Sequence, residues 1–242
     1  MDKHIMEDNE EVFLMKVILL NGSPHEAGCT YTALMEVAKV LEKQGIETEL
    51  FQLGKSPVAG CTACGACAKT HRCVIDDKVN LFVEKLLDAD GLVVGSPVYY
   101  AGPAGQVTAF LDRVFYCKGS LYANKLGAAV ISCRRGGASA AFDRLNKYFT
   151  ISNMPVVSSQ YWNQVHGNTP EEVLQDLEGL QTMRTLGANM AWLLQCIQAG
   201  KAAGIQPPAL EKKVDSVVAE AENMAAKPVI TQLDFQDIPG TN

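Results

Sequence analysis

Four cysteines, Cys61, Cys64, Cys67 and Cys73, fall within thirteen residues of one glycine- and alanine-rich stretch (GCTACGACAKTHRC, residues 60–73). Thiols three residues apart can turn inward together where the backbone is free to bend tightly, and Gly60, Ala63, Gly65 and Ala66 supply that freedom. Four kinds of chemistry compete for such a group. Disulfides suit secreted chains rather than a chain of a reducing compartment. Structural zinc is usually held by two separated pairs, whereas the first three cysteines here form one run. A compact C-x2-C-x2-C run is one way to wrap an iron-sulfur cubane, although the last gap is five residues and Val74, not proline, follows Cys73. Free thiols in a loop with no metal are the fourth reading. Spacing alone leaves all four open.

A second group points to an anion. Residues 21–30 (NGSPHEAGCT) follow an apolar run and open a helical pattern, and the free N–H groups and dipole of a helix N-terminus favour a phosphate. Ser23 and Thr30 add hydroxyls; the plainer alternative is that one of them simply caps the helix. There is no Gly-Lys-Ser/Thr loop and no G-x-G-x-x-G fingerprint. Residues 96–100 (SPVYY) offer backbone amides and two rings that could pack on a planar group or on the rim of the protein. Residues 133–139 (CRRGGAS) add two cations and flexible backbone. His71 and His166 lack sequence-level partners and read as structural or surface groups. Cys29 reads as a small residue lining the anion loop, with a reactive thiol as the alternative. Cys117, Cys133 and Cys196 read as core thiols, and Asp112 and Arg113 as pairing with neighbours.

The elements that position these groups alternate. Residues 12–20 (VFLMKVILL) form a continuous apolar run of the kind buried on both faces of a parallel sheet. Leu34, Val37, Ala38 and Leu41 then recur at helical spacing until Gly45. Further strands are expected over 46–53, 89–95, 125–133 and 154–161, with helices over 79–87, 106–116 and 136–149 between them. Five strands alternating with helices imply a doubly wound α/β sheet, whose ligands gather at the carboxyl ends of the strands. Residues 171–194 and 207–224 read as helices added to the same domain. The apolar stretch 186–194 (LGANMAWLL) could cover the sheet or meet another subunit.

At 242 residues, 48% hydrophobic and 20% charged, the chain suits one large globular domain. A net charge of -6 gives no footprint for nucleic acid or an anionic membrane, and no apolar run reaches the length of a membrane span. Residues 1–11 (MDKHIMEDNEE) lack the apolar core of a secretory signal and are expected to be a mobile leader on a cytoplasmic protein.

Residues 21–24 (NGSP) with 28–30 (GCT), residues 96–100 (SPVYY) with 109–113 (AFLDR), and residues 154–157 (MPVV) through 161–163 (YWN) and 166–167 (HG) together resemble the flavodoxin-like NAD(P)H-dependent FMN reductases. Cys61, Cys64, Cys67 and Cys73 are similar to the cysteines of the iron-sulfur flavoprotein branch. The likeness spans about residues 15–167, and one departure is His25, where relatives often carry arginine. The resemblance implies a flavodoxin-like five-stranded parallel sheet of order 2-1-3-4-5 with C-terminal helical additions, the core being residues 12–167 and the extension 168–242. It implies FMN over the strand ends, the phosphate at Ser23, Pro24, His25, Cys29 and Thr30, and the ring against Ser96, Pro97, Val98, Tyr99, Tyr100, Arg135, Gly136 and Gly137. It further implies a [4Fe-4S] cluster on the four cysteines and NAD(P)H as cosubstrate. Ferredoxin or another donor, and a small-molecule or protein acceptor, would complete the partners of a homodimer or homotetramer. An electron carrier without turnover, or a flavin- or metal-responsive binding protein, would use the same residues.

Overall fold

A computed structural model describes residues 15–209. The expected leader, the first three residues of the first predicted strand, and all but the first three residues of the helix expected over 207–224 lie outside the described residues.

The first apolar run forms β1 (Lys16–Asn21), buried from Val17 onward. It lies inside a parallel sheet, between β2 (Glu47–Gln52) and β3 (Gly91–Tyr99). β3 turns back through a short antiparallel arm, β4 (Gly102–Pro103), and pairs on its other side with β5 (Leu126–Cys133). β6 (Gln164–His166) closes the edge. The order is β2-β1-β3-β5-β6 with β4 a side arm of β3, which is the 2-1-3-4-5 order of a flavodoxin-like sheet when the arm is left uncounted.

Helices cover both faces. α1 (Cys29–Lys43) follows β1, the single turn α2 (Cys67–Thr70) lies within the cysteine stretch, and α3 (Lys78–Asp88), α4 (Gly105–Lys118) and α5 (Ala138–Ile151) connect the later strands. α3, α4 and α5 bury Val79, Phe82, Phe110, Val114, Leu145 and Phe149 against one face. The other face is covered by α1 and by α7 (Leu177–Ala202). α7 comes so close to α1 that a Cβ on Gly187 would stand 2.9 Å from the Val37 carbonyl oxygen. Leu186, Met190, Ala191 and Leu194 are buried in that contact, so the apolar stretch 186–194 covers its own sheet, while Trp192 is exposed.

Two expectations change. The fifth strand is not residues 154–161: Val156 makes a single bridge to Gly127, the chain leaves the sheet, and pairing resumes only at Gln164. The reason is α7. Ser159 donates to the Thr182 carbonyl at 2.7 Å, Asn189 donates to the Ser158 carbonyl at 2.8 Å and Thr185 bonds Gln160, so residues 158–160 spend their polar groups on the helix instead of on β5. The helix expected over 171–194 is likewise broken, into α6 (Pro170–Val173) and α7, because Asp176 caps the second by accepting from the Gly179 N–H at 3.0 Å.

Candidate functional site

The carboxyl ends of β1, β3 and β5 are joined into one surface by close backbone contacts. The Gly22 N–H donates to the Gly95 carbonyl at 2.9 Å. Neither position tolerates a side chain: a Cβ on Gly22 would lie 2.2 Å from Val107 Cγ2, and one on Gly95 2.7 Å from Leu34 Cδ1. Thr30 and Ser132 share a hydroxyl hydrogen bond of 2.8 Å, tying α1 to β5. Gly137, at φ +90°, lies under the β3–β4 hairpin, where a Cβ would stand 2.7 Å from Ala101 Cα.

The loop after β1 is held from within. Asn21 is fully buried; its amide accepts from the Ser23 N–H at 3.1 Å and donates to the His25 and Glu26 carbonyls and to Gln52 Oε1 at 2.6 Å. Gln52 in turn donates to the Ser23 carbonyl at 2.8 Å, and the Ser23 hydroxyl accepts from the His25 N–H at 3.1 Å. The loop is thus closed on itself and delivers the chain to α1, whose N-cap is Gly28. Among the described residues no side chain caps this terminus, and no acid stands in its first turn. Its leading N–H groups and dipole are left for an anion, so the simple capping alternative for Ser23 and Thr30 does not hold. Thr30 instead buries its hydroxyl against Ser132, away from solvent. His25 is exposed beside the loop.

Cys29 stands at the first position of α1, its thiol 3.7 Å from the Gly167 carbonyl. Burial pushes this thiol up, and Glu172 and Glu171 nearby push the same way despite an opposing backbone hydrogen bond. A thiol raised in this way ionises less readily than a free one, the opposite of the activation expected at a helix N-terminus. Cys133 at the end of β5 is raised for the same first reason, burial.

Beyond Ser96, whose buried hydroxyl accepts from the Ala104 N–H at 3.0 Å, β3 rises to a two-residue turn at Tyr100 and Ala101. Both residues have positive φ, +49° and +58°, in a turn that normally takes Asn-Gly. Tyr99 and Tyr100 are 51% and 107% exposed, so the protein itself does not cover their rings. Pro97 and Val98 are half-buried below them, and Arg134, Arg135 and Gly136 are exposed alongside. The structure brings the segments that carry Ser23, Thr30, Ser96, Val98 and Gly137 to one end of the sheet; among the described residues Arg135 has no side-chain partner.

The cysteine stretch occupies the connection from β2 to α3. Cys61, Cys64, Cys67 and Cys73 line one cavity, together with Cys117 and Arg113 from α4. The donors are soft thiols, with no carboxylate or imidazole among the lining residues, a set that suits a thiolate-bound metal group more than a hard cation. Among the described residues no three such groups converge closely enough to hold a single ion. A cubane makes a different demand, since each thiolate binds its own iron.

Arg113 organises the cavity. Only 2% exposed, it forms an ion pair with Asp77, with Nη1 at 2.6 Å from Oδ2 and Nη2 at 2.9 Å from Oδ1. It also donates to the Ala59 and Ile75 carbonyls, and through Nε and Nη2 to Cys73 Sγ, both at 3.3 Å. Burial alone would lower its basicity; Asp77 and Cys73 outweigh that and hold it charged. Burial likewise acts to raise Asp77, and the Arg113 guanidinium and the Val79 N–H overcome it and hold the carboxyl below its usual value. Buried Asn80 fixes the backbone of Cys73 from both sides, accepting from its N–H at 2.9 Å and donating to its carbonyl at 3.0 Å.

Sequence reasoning missed Asn21, Gln52 and Ser132 at the first site, and Asp77, Asn80, Cys117 and the sulfur contact of Arg113 at the second. A polar residue ending an apolar strand was a usable signal for Asn21; the others depend on pairings distant in sequence. Asp112 and Arg113 do pair with neighbours, Asp112 with Tyr148 and Arg144. Cys117 and Cys133 are buried as expected, whereas Cys196 is exposed, since it lies on the outer side of α7.

A family model described as NADPH-dependent FMN reductase matches residues 15–169. An iron-sulfur flavoprotein of Methanocaldococcus jannaschii is 32% identical over 192 residues, covering 76% of this chain and 100% of that one. Among solved structures, a flavodoxin from the domain Archaea superposes with TM-score 0.52 at 16% identity, over 75% of this chain and 99% of that one. An NAD(P)H:quinone oxidoreductase from Methanothermobacter marburgensis superposes with TM-score 0.57 at 16% identity, over 73% and 97%. At such identities the two structures speak to the fold alone.

Proposed function

The chain belongs to the NADPH-dependent FMN reductase family, and from that premise we propose that it is an FMN-dependent oxidoreductase that passes electrons from NAD(P)H or a ferredoxin-like donor to an acceptor through a [4Fe-4S] cluster. The observation that carries this reading is the uncapped α1 terminus, set behind a self-closed loop and joined to the ends of β3 and β5. FMN, when bound, converts between hydride and single-electron chemistry.

The N–H groups at the start of α1 hold the phosphate, with Ser23, Pro24, His25 and Cys29 shaping the loop. Thr30 supports it through Ser132. Pro97, Val98, Tyr99, Tyr100 and the loop of Arg135, Gly136 and Gly137 flank the ring and limit its contact with water. Cys61, Cys64, Cys67 and Cys73 hold the cluster at the same end of the sheet, on the connection leaving β2. Among the described residues no helix is long and apolar enough to cross a membrane. The proposed reductase is cytoplasmic and works as a homo-oligomer.

The test is anaerobic purification followed by measurement of iron and acid-labile sulfide per FMN. About four of each per flavin supports the cluster. Bleaching of the flavin by NADH or NADPH supports the reductase; reduction by ferredoxin or dithionite alone assigns the chain to the second reading, an electron carrier with the same cofactors and no nicotinamide site. A chain that takes up no FMN refutes both.

A further inference from the structure

We propose that Arg113 is the positioning residue of the fourth cysteine, holding Cys73 Sγ as a fixed hydrogen-bond acceptor before any metal group arrives and drawing charge from that sulfur afterwards. The inference rests on the cluster reading above and concerns a residue outside the cysteine loop.

A guanidinium has five N–H donors. Here Nη1 serves Asp77 Oδ2 and the Ala59 carbonyl, while Nη2 serves Asp77 Oδ1, the Ile75 carbonyl and Cys73 Sγ. The single proton on Nε has one recorded acceptor, Cys73 Sγ at 3.3 Å. The ion pair with Asp77 would be complete without it. The fork of Arg113 therefore does two things: its outer nitrogens staple the loop, Nη2 sharing its two protons among Asp77 Oδ1, the Ile75 carbonyl and Cys73 Sγ, and its Nε gives its one proton to the sulfur.

The four cysteines are not equivalent in this respect. Cys61 and Cys64 are exposed, and the sulfur of Cys61 accepts only a local N–H, from Ala63 at 3.4 Å. Cys73 is fixed at its N–H and carbonyl by Asn80 and at its sulfur by Arg113. A hydrogen bond from a charged donor to a ligating sulfur stabilises the more reduced, more negative state of an iron-sulfur centre and so raises its reduction potential. Cys73 is thus the ligand through which the protein sets both the place and the poise of the cluster.

The test compares the full FMN-loaded chain with Arg113→Lys and Asp77→Asn. Lysine keeps a cation for Asp77 but has no planar fork to serve carboxylate and sulfur together. Asp77→Asn removes the ion pair while leaving the sulfur contact. Iron and sulfide content and the cluster's midpoint potential are measured for each. Arg113→Lys is expected to shift the potential negative by about a tenfold change in the one-electron equilibrium, ~59 mV, or to lose iron while retaining FMN and its thermal midpoint. Asp77→Asn is expected to keep the wild-type potential. Equal potentials in wild type and Arg113→Lys, or the same shift in both variants, would overturn the proposal. If the wild-type chain holds FMN but no iron and sulfide, the cluster reading fails separately. Co2+ titration of the same three proteins, in which the open rim of the loop must close on the ion, then decides about Arg113: sulfur-to-cobalt absorption should saturate at about tenfold higher Co2+ in Arg113→Lys than in the other two, and identical curves overturn the assignment.

Discussion

The loops above β1, β3 and β5 and the loop that carries the cysteines sit at the same end of one sheet, yet they are held by different means. The first set inherits its position from the sheet: Gly22 and Gly137 are places where two backbones meet with no room for a methyl group, and Gly95 is closed off by the Leu34 and Thr30 side chains of α1. The cysteine loop has no such constraint at its rim. Gly60 and Gly65 face open space and Cys61 and Cys64 are exposed, while the loop is tied at its two ends, at Ala59 by Arg113 and at Cys73 by Arg113 and Asn80. A cofactor site made from strand ends is preformed by the packing of the core, whereas a thiol site made from a loop is preformed only where individual side chains reach into it.

Glycine substitutions separate the two most sharply. Gly22→Ala places a Cβ 2.2 Å from Val107 Cγ2 and 2.7 Å from the Gly95 oxygen, and the second of these is backbone that cannot step aside. Destabilisation of about 3 kcal/mol, with loss of bound FMN, is expected from thermal unfolding and flavin content. Gly60→Ala meets nothing within 4 Å and should leave the unfolding midpoint where it was. If the two variants behave alike, the distinction between the regions is wrong.

At the Cys73 end of the cysteine loop, Asn80→Ala strips both backbone bonds from Cys73. Orphaning those groups should cost about 1–3 kcal/mol. Hydrogen exchange at residues 73–77 should accelerate, with no change at residues 21–25.

Acid should act on the same end. Arg113 holds the Asp77 carboxyl below its ordinary value of 3.8. A depressed carboxyl adds stability that is present above the unfolded value and is lost as pH falls through the lower folded one. Below pH 3.8 the staple weakens, and limited proteolysis should cut within residues 60–76 before the strand-end loops open. Asp77→Asn should abolish that pH dependence.

The sheet and the helix faces were legible because burial writes itself into periodicity: the apolar run of β1 and the spacing of Leu34, Val37, Ala38 and Leu41 admit few alternatives. The edge strand was not. Residues 154–161 have strand composition, and nothing local reveals that Thr182, Thr185 and Asn189, more than twenty residues later, take their polar groups. The same contrast divides the sites. Ser23, Ser96 and Gly137 could be singled out as candidates because a turn at a strand end is a local pattern, and the cysteines because their spacing is. Asn21's closure through Gln52, and the reach of Arg113 from α4 to Cys73 forty residues earlier, are products of the fold that no window of sequence contains.

The smallest expected effect lies at the hairpin above the strand-end surface. Tyr100 and Ala101 hold left-handed conformations that cost a side-chain-bearing residue about 1–2 kcal/mol each. Ala101→Gly removes that cost at one position and returns part of it through the greater freedom of the unfolded chain, for a net gain of about 0.5 kcal/mol. The thermal midpoint should rise by about 1–2 °C. Packing beneath the hairpin is unaffected, because Gly137 approaches the Ala101 backbone and its own missing Cβ supplies the clearance. FMN affinity should not improve, since the exposed rings of Tyr99 and Tyr100, not the turn, offer the contact area. A lower midpoint in Ala101→Gly would mean that the alanine methyl braces the surface, and that the strand-end loops, like the cysteine loop, depend on a side-chain tether.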